Sequence, residues 1–137
     1  MILVDTTAWV EYDRATGSAI DTVLTGLIRS GSEDIAVTEP VLMDVLAGAA
    51  DENGANQLRR LLTSFGWVPV DPVSDFEGAA KIYRSCRRAG ITPRGLIDCM
   101  IANVAVRGGH QVLTSDRDFA AMATVVPLRL VPIAGTE

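Results

Sequence analysis

The chain alternates between short apolar runs and longer segments whose apolar residues recur at helical spacing. Residues 2–4, 35–37, 67–70, 111–113 and 128–131 have the length of buried strands, and helical patterns lie between them. This alternation is typical of a mostly parallel sheet covered by helices on both faces. The sequence therefore predicts an α/β fold with a central sheet of about five strands flanked by helices.

Capping residues and chain breakers set the bounds of the predicted helices. Thr38, Glu39 and Pro40 supply a hydroxyl cap, an acid in the first turn and a proline near the first position. Pro69 lacks an N–H group, so the third strand is expected at an edge of the sheet or to end there. The predicted helices begin near Thr6 and cover 18–30, 38–48, 51–64, 73–89, 95–107 and 116–122, with a turn at 31–34.

Length and composition indicate one globular domain covering residues 1–137. The hydrophobic content of 48% and the mean hydropathy of +0.26 are typical of a chain with a well-buried core. The first residues do not read as a signal peptide, because an acid already stands at position 5. Cys86 and Cys99 suit a reducing compartment, so a cytoplasmic protein without a membrane span is expected.

The net charge of −5 argues against a general nucleic-acid coat, because non-specific affinity comes from neutralising phosphates. It does not exclude a nuclease, since acids that bind a metal ion are part of that count. Nearly all the positive charge is arginine, which suits bidentate phosphate contacts but also follows from a GC-rich genome.

Four acids carry most of the chemical information. Asp5 and Asp116 follow predicted strands and are expected at the carboxyl edge of the sheet, whereas Asp44 and Asp98 lie within predicted helices. Carboxylates gathered at one site repel each other unless a cation lies between them, and Mg²⁺ prefers oxygen ligands. Any one of these acids can be a helix cap or a surface ion-pair partner, and Asp116 alone would make a good N-cap. The four together favour a metal-dependent phosphodiester enzyme.

Other chemistries lack their parts. A response-regulator receiver needs a lysine after a late strand, and the one lysine is Lys81. A haloacid-dehalogenase-like phosphatase needs a second acid two residues after Asp5, where Thr7 stands. His110 lies at the amino end of its strand, away from Asp116, so no nucleophilic triad is expected. A phosphate-binding glycine loop is also absent from the sequence.

Four segments resemble the successive motifs of PIN-domain ribonucleases, in particular the VapC toxins of bacterial toxin–antitoxin pairs. They are Asp5–Glu11, Pro40–Gly48, Leu96–Ala102 and Leu113–Phe119, in the family's order and spacing. The resemblance implies a single PIN domain. It also implies metal-dependent cleavage of a structured RNA such as tRNA or rRNA, leaving a 3′-hydroxyl and a 5′-phosphate. A small antitoxin and a homodimer are implied partners.

The family's metal-binding acids fall, by position, on Asp5, Asp44, Asp98 and Asp116, and Asp118 matches an auxiliary acid. Mg²⁺ is the implied ion, with Mn²⁺ as a substitute. The family usually has glutamate where this chain has Asp44, which is one methylene shorter. We therefore expect Asp44 to reach the ion directly or through water. The alternative is a PIN-fold binding module whose catalysis is weakened or lost because Asp44 replaces the usual glutamate.

The resemblance also gives roles to neighbouring residues. Thr6 and Ser115 are expected to position water, and Arg94 and Arg117 to bind RNA phosphate or the antitoxin unless they form surface salt bridges. Glu39 does not replace Asp44, because five helical residues place it roughly 140° further around the axis. The antitoxin's apolar face is expected against a groove with Trp9, Val10, Val41 and Leu42. Trp9, Phe65 and Trp67 are expected in the core or at a dimer contact.

Overall fold

The computed structural model describes residues 1–31 and 33–133, so Ser32 of the predicted turn lies outside the described residues. The predicted α/β fold is confirmed. The strands are β1 (Ile2–Val4), β2 (Ile35–Val37), β3 (Gly66–Trp67), β4 (Gln111–Leu113) and β5 (Arg129–Leu130). The helices are α1 (Thr6–Asp13), α2 (Ala19–Arg29), α3 (Glu39–Ala47), α4 (Glu52–Thr63), α5 (Pro72–Arg88), α6 (Leu96–Gly108) and α7 (Arg117–Met122).

The strands form one parallel sheet in the order β3-β2-β1-β4-β5. The chain builds outward from β1 through β2 to β3, and then returns to the other side of β1 with β4 and β5. The strand order therefore reverses between β1 and β4. In open parallel sheets, ligands bind in the crevice outside the carboxyl ends of the strands at such a point. Asp5 follows β1 and Asp116 lies just beyond β4, so both acids flank this crevice.

The edge strands are shorter than the sequence predicts. The third strand was expected over 67–70 but covers Gly66–Trp67, because Pro69 has no N–H to continue the ladder. Glu39 binds the chain there instead, with one carboxylate oxygen accepting from Trp67 Nε1 at 3.0 Å and the other from the N–H of Val70 at 2.7 Å. Glu39 thus binds at the edge of the sheet and does not take the place of Asp44, as its position on the helix predicted.

Side-chain caps define several helix starts within a residue of their predicted positions. Ser18 accepts from the N–H of Asp21 at the start of α2, and Asp51 accepts from the N–H of Gly54 at the start of α4. Asp71 caps α5 in the same way. At the other end of α5, Gly90 has φ +81, a left-handed conformation that favours glycine and ends the helix.

Helices α5 and α6 pack antiparallel, and a buried carboxylate fixes their alignment. Asp75 near the start of α5 is completely buried and accepts from Asn103 Nδ2 at 2.8 Å. Arg107 near the end of α6 donates to both of its oxygens, at 2.9 Å and 2.8 Å. Burial would raise the pKa of Asp75, but these bonds and that from the N–H of Asp71 hold it below its usual value.

A close helix approach makes this cluster possible. A Cβ atom on Gly78 would lie 2.3 Å from Oδ1 of Asn103, so glycine at this position lets the amide enter the interface. Cys86 and Cys99, both free thiols, are buried in the core as the apolar setting of Cys99 predicted. None of the described helices is long and apolar enough to cross a bilayer.

Candidate metal centre

Three carboxylates converge beside the crevice, and we call Asp98, Asp116 and Asp118 the acidic trio. One oxygen from each lies within 4.8 Å of the others, and all three side chains are half-buried. Asp98 is in the first turn of α6, Asp116 caps α7, and Asp118 follows in the first turn of α7. Asp116 Oδ1 accepts from the N–H of Asp118 at 2.9 Å, so the predicted N-cap and membership of the cluster both hold.

The pKa of Asp98 reflects the negative charge gathered around the acidic trio. Burial, followed by the charges of Asp5, Asp116, Asp118 and Asp44, raises the pKa of Asp98 to about 7. The other four acids named from the sequence therefore all influence the carboxyl group of Asp98. A nearby cation would stabilise the ionised form of Asp98, which burial and the neighbouring acids disfavour.

Asp5 lies at the base of the crevice and is almost completely buried. Its Oδ2 accepts from Thr114 Oγ1 at 2.9 Å and from Thr7 Oγ1 at 3.1 Å. Burial raises the pKa of Asp5, and the hydrogen bonds from Thr114, from the N–H of Thr6 and from Thr7 offset part of that rise. Asp5 is thus held in one orientation but lies outside the trio.

Thr7 and Thr114 were not predicted as site residues. The pairing of Val4 with Leu113 continues to Asp5 and Thr114, so these two side chains lie level on neighbouring strands. That register is a property of the folded sheet and cannot be read from either segment alone. The predicted neighbours have other roles: Thr6 donates to Asp44, and the exposed Ser115 donates its backbone N–H to Thr7 Oγ1 at 3.1 Å.

Asp44 reaches the site from α3. It is half-buried, and its Oδ2 is 3.4 Å from Thr6 Oγ1, a long hydrogen bond. Its charge acts on Asp98 less than those of the other three acids. Asp44 therefore lies near the trio but is not one of the acids whose oxygens come within 4.8 Å of one another.

Arg94 supplies the positive charge beside the trio. Its guanidinium donates to Asp116 Oδ1 at 2.7 Å and to Asp118 Oδ2 at 3.2 Å, and its backbone N–H donates to Asp118 Oδ2 at 2.9 Å. The side chain is 74% exposed, so it can leave these carboxylates without breaking the core. Arg94 and Arg117 both line an open hollow beside Asp116 and Asp118. Arg117 is also exposed, but it forms no ion pair with the described residues.

The donor set fits a hard divalent cation. Carboxylate oxygens from two or three acids, converging at one point with further acids nearby, are what Mg²⁺ and Mn²⁺ bind in proteins. Histidine is not part of this arrangement: His110 lies at the amino end of β4, where its Nδ1 is 3.2 Å from the N-terminal amine. The site therefore offers oxygen ligands to a metal ion and an open face to a substrate.

Comparison with known proteins places the chain in a family. The PIN domain family matches residues 2–125. Ribonuclease VapC11 of Mycobacterium tuberculosis is 43% identical over 129 residues, which cover 94% of this chain and 96% of that protein. The VapC ribonuclease Mb1587 of Mycobacterium bovis matches with the same figures.

Solved structures agree at the level of the fold. A chain of VapBC2 from Rickettsia felis bound to a promoter DNA fragment has a TM-score of 0.75 at 16% identity, covering 97% of this chain and 99% of that one. VapC20 of Mycobacterium tuberculosis, a toxin that cleaves the sarcin–ricin loop, has a TM-score of 0.67 at 22% identity, covering 94% and 99%. With its motifs, its sheet and these relatives, the chain belongs to the PIN-domain family and, within it, to the VapC ribonucleases.

Proposed function

We propose that this chain is a metal-dependent endoribonuclease toxin that cleaves a structured cellular RNA, such as tRNA or rRNA, and is neutralised by a cognate VapB-like antitoxin. The observation that carries the proposal is the convergence of the acidic trio at the crevice between β1 and β4. Relatives that are 43% identical over 94% of the chain are named as ribonucleases, which favours an active enzyme over the alternative of an inactive binding module.

The acids would have different roles in metal binding, according to their positions. Asp98, Asp116 and Asp118 would hold Mg²⁺ or Mn²⁺, with Asp5 behind them and Asp44 joining directly or through water. When bound, the ion would activate a water molecule and stabilise charge on the phosphate. Thr7 and Thr114 donate hydrogen bonds to Asp5 and would keep it oriented. Arg94 and Arg117 line the hollow beside the trio and would bind phosphate oxygens. Thr6 orients Asp44, and Ser115 is available to position water.

The test is cleavage of purified tRNA and rRNA by the purified protein. We expect cleavage with Mn²⁺ or Mg²⁺, none with EDTA, and products that carry a 3′-hydroxyl and a 5′-phosphate. Enzymatic end-mapping of the products checks the last point. Cleavage that continues at full rate in EDTA would reject the metal-dependent mechanism, and no cleavage of any RNA would favour the binding module.

Asp44→Glu tests the departure from the family pattern. The longer side chain is expected to reach the ion that Asp44 approaches less closely, so Mn²⁺ should bind more tightly and cleavage should rise. Calorimetric titration with Mn²⁺ measures the first effect and initial cleavage rates the second. Glu39→Asp on the same helix is the control, because Glu39 binds Trp67 and Val70 at the sheet edge. Equal or weaker Mn²⁺ binding by Asp44→Glu would mean that the site is adapted to aspartate.

Arg94→Ala tests whether the guanidinium of Arg94 competes with a metal ion for Asp116 and Asp118. Arg94 occupies oxygens of Asp116 and Asp118 that a metal ion would also use, so its removal should tighten Mn²⁺ binding by about fivefold. Arg117→Ala removes the same charge from the same hollow without breaking an ion pair. We expect little change there. If the two variants bind Mn²⁺ equally, Arg94 does not compete with the ion.

An antitoxin has a groove available beside the site. The groove, of about 330 Å³, lies between α1, the end of α3 and α4, with Val10, Val45 and Leu58 among its apolar walls. The small residues Gly48 and Ala49 also line it. Trp9 and Val10 line this groove as expected, although Trp9 is completely buried and its ring centroid lies 5.3 Å from that of Phe65. The expectation for Val41 and Leu42 needs correction, because neither lines the groove and Val41 is completely buried. Trp67 is partly exposed at the edge strand.

Partner and metal are expected to compete. An antitoxin segment leaving the groove at Val10 continues over a hollow at Thr6 and Ser115 toward the acids. A basic side chain there would neutralise the acidic trio in place of the ion. Titrating Mn²⁺ into the purified pair should weaken the complex and restore cleavage. A complex equally tight with and without Mn²⁺, with cleavage intact, would contradict the proposal.

The remaining expectations follow from the substrate and the family. A toxin that cleaves translational RNA acts in the cytoplasm, which is the location we propose. We also expect a homodimer, and light scattering of the purified protein measures its mass directly.

A further inference from the structure

Positive charge in this acidic protein is concentrated in one segment. Residues 78–97 hold five of the twelve basic residues and none of the seventeen acidic ones, and the segment ends just before Asp98. The rest of the chain is correspondingly more negative. Such a local reversal of sign is what attracts a polyanion to one place on a protein that repels it elsewhere.

Three of these residues form what we call the basic strip: Lys81, Arg84 and Arg88 on α5. Their spacing of three and four residues places them on one face of the helix, over about 10 Å. All three are exposed, and within the described residues none of them forms an ion pair. Basic residues in the last turn stabilise a helix C-terminus, which accounts for Arg88, but Lys81 and Arg84 lie further back.

The basic strip runs toward the metal centre. Asp75 at the start of α5 binds Asn103 and Arg107 near the end of α6, so the end of α5 lies beside the start of α6. The turn after α5 is tight, with the N–H of Ile91 donating to the carbonyl of Cys86 at 2.9 Å.

Arg94 follows that turn and contacts the acidic trio. Five residues lie between it and Arg88, so at most about 20 Å of chain joins the two. The positive side chains thus form a path that ends at the acids.

A groove lies along the same face of α5. It has a volume of about 460 Å³, is open to solvent, and is lined by Gly78, Ala80, Lys81 and Arg84 together with Ser74 and Glu77. The small residues leave room beside the basic side chains. Glu77 is at the end of the groove away from the acids, so the basic residues Lys81 and Arg84 line the end nearer to Arg94.

We propose that the basic strip is a docking surface for the RNA backbone, holding phosphates that flank the cleaved bond. The inference rests on the proposed ribonuclease function and adds to it a second, metal-independent contact region on α5. Arginine and lysine without protein partners bind phosphate by charge, so this contact should be independent of base identity and sensitive to salt. The RNA would then extend from the acidic trio past Arg94 and along α5.

The test compares two charge-matched variants in EDTA, where the metal-dependent reaction is stopped. Arg84→Gln/Arg88→Gln removes two charges from α5, and Arg59→Gln/Arg60→Gln removes two exposed charges from α4. The probe is fluorescently labelled, unfractionated bacterial tRNA, with the Kd measured over a range of salt concentrations. We expect the α5 variant to bind about tenfold more weakly at 0.1 M salt. The slope of log K against log salt should also become shallower by about 1.5. The α4 variant should match the wild type.

Further variants and measurements distinguish failure of the docking surface from failure of the ribonuclease proposal. Arg84→Lys/Arg88→Lys keeps the charge and should keep most of the binding, so loss in the Gln variant alone assigns the effect to charge. If both Gln variants bind tRNA as tightly as the wild type, the proposed docking surface is overturned. Cleavage by the wild-type protein with Mn²⁺ would in that case still support the ribonuclease proposal. Unchanged tRNA binding with a weakened antitoxin complex would also overturn the docking surface, in favour of a protein partner.

Discussion

Replacing Asp98 by asparagine is expected to lower metal-dependent RNA cleavage by at least about a hundredfold while the fold is kept. The substitution removes one carboxylate from the trio and preserves the shape of the side chain. It also removes a charge that burial and four neighbouring acids oppose, so the metal-free protein should be no less stable than the wild type. Cleavage rates with Mn²⁺ and thermal unfolding in EDTA measure the two effects.

A loss of cleavage alone does not identify a metal ligand, so a matched control is needed. Asp13→Asn changes an exposed aspartate at the end of α1, away from the trio, and should leave cleavage and Mn²⁺ affinity unchanged. Asp98→Asn should also lower Mn²⁺ affinity. An Asp98→Asn protein that cleaves RNA at the wild-type rate would remove Asp98 from the proposed mechanism.

Asp75→Ala is expected to lower the free energy of unfolding by about 3 kcal/mol. It leaves the Nδ2 group of Asn103 in the helix interface and the guanidinium of Arg107 without a carboxylate. For a domain of this size the melting temperature should fall by about 10 °C. Glu77→Ala, an exposed acid on the same helix, should have little effect. A melting temperature within about 1 °C of the wild type would contradict the role given to Asp75.

The same cluster has a pH signature. Because the folded-state pKa of Asp75 lies below its ordinary value of 3.8, its contribution to stability is present above pH 3.8. The contribution is lost as the pH falls through the lowered folded-state value. The stability difference between wild type and Asp75→Ala should therefore be complete at pH 7 and shrink below about pH 4. A difference that stays constant into that acid range would contradict the assignment.

Most of the fold could be predicted because local signals agreed with the final structure. The run Ile35–Val37 is apolar and bounded by polar residues, and it is a strand buried along its whole length. The edge strands were less predictable. Whether residues 67–70 pair throughout depends on Pro69 and on where β2 ends, and the paired strand covers only Gly66–Trp67. Asp75 and Arg107 were not identified, because 32 residues separate them and their contact exists only once α5 lies against α6.

The acids that gather at the crevice could be predicted from the sequence, but their arrangement could not. Asp98 and Asp116 were identified from their motifs, and they lie together as expected. Asp118, expected as an auxiliary acid, forms the trio with them, whereas Asp5 and Asp44 lie outside it and act on Asp98 through their charge. These differences come from helix direction and strand register. The positions of the acids along the sequence do not specify how far apart their carboxylates lie in the folded protein.

Anomalous diffraction from crystals of the protein soaked in Mn²⁺ tests directly whether the acidic trio binds a metal ion. We expect one or two anomalous peaks at the crevice between β1 and β4, within about 2.5 Å of carboxylate oxygens of Asp98 and Asp116. Asp98→Asn crystals treated in the same way should show a weaker peak or none. Active wild-type protein whose Mn²⁺ lies elsewhere, or is absent from the acidic trio at saturating concentration, would show that these acids do not hold the catalytic ion.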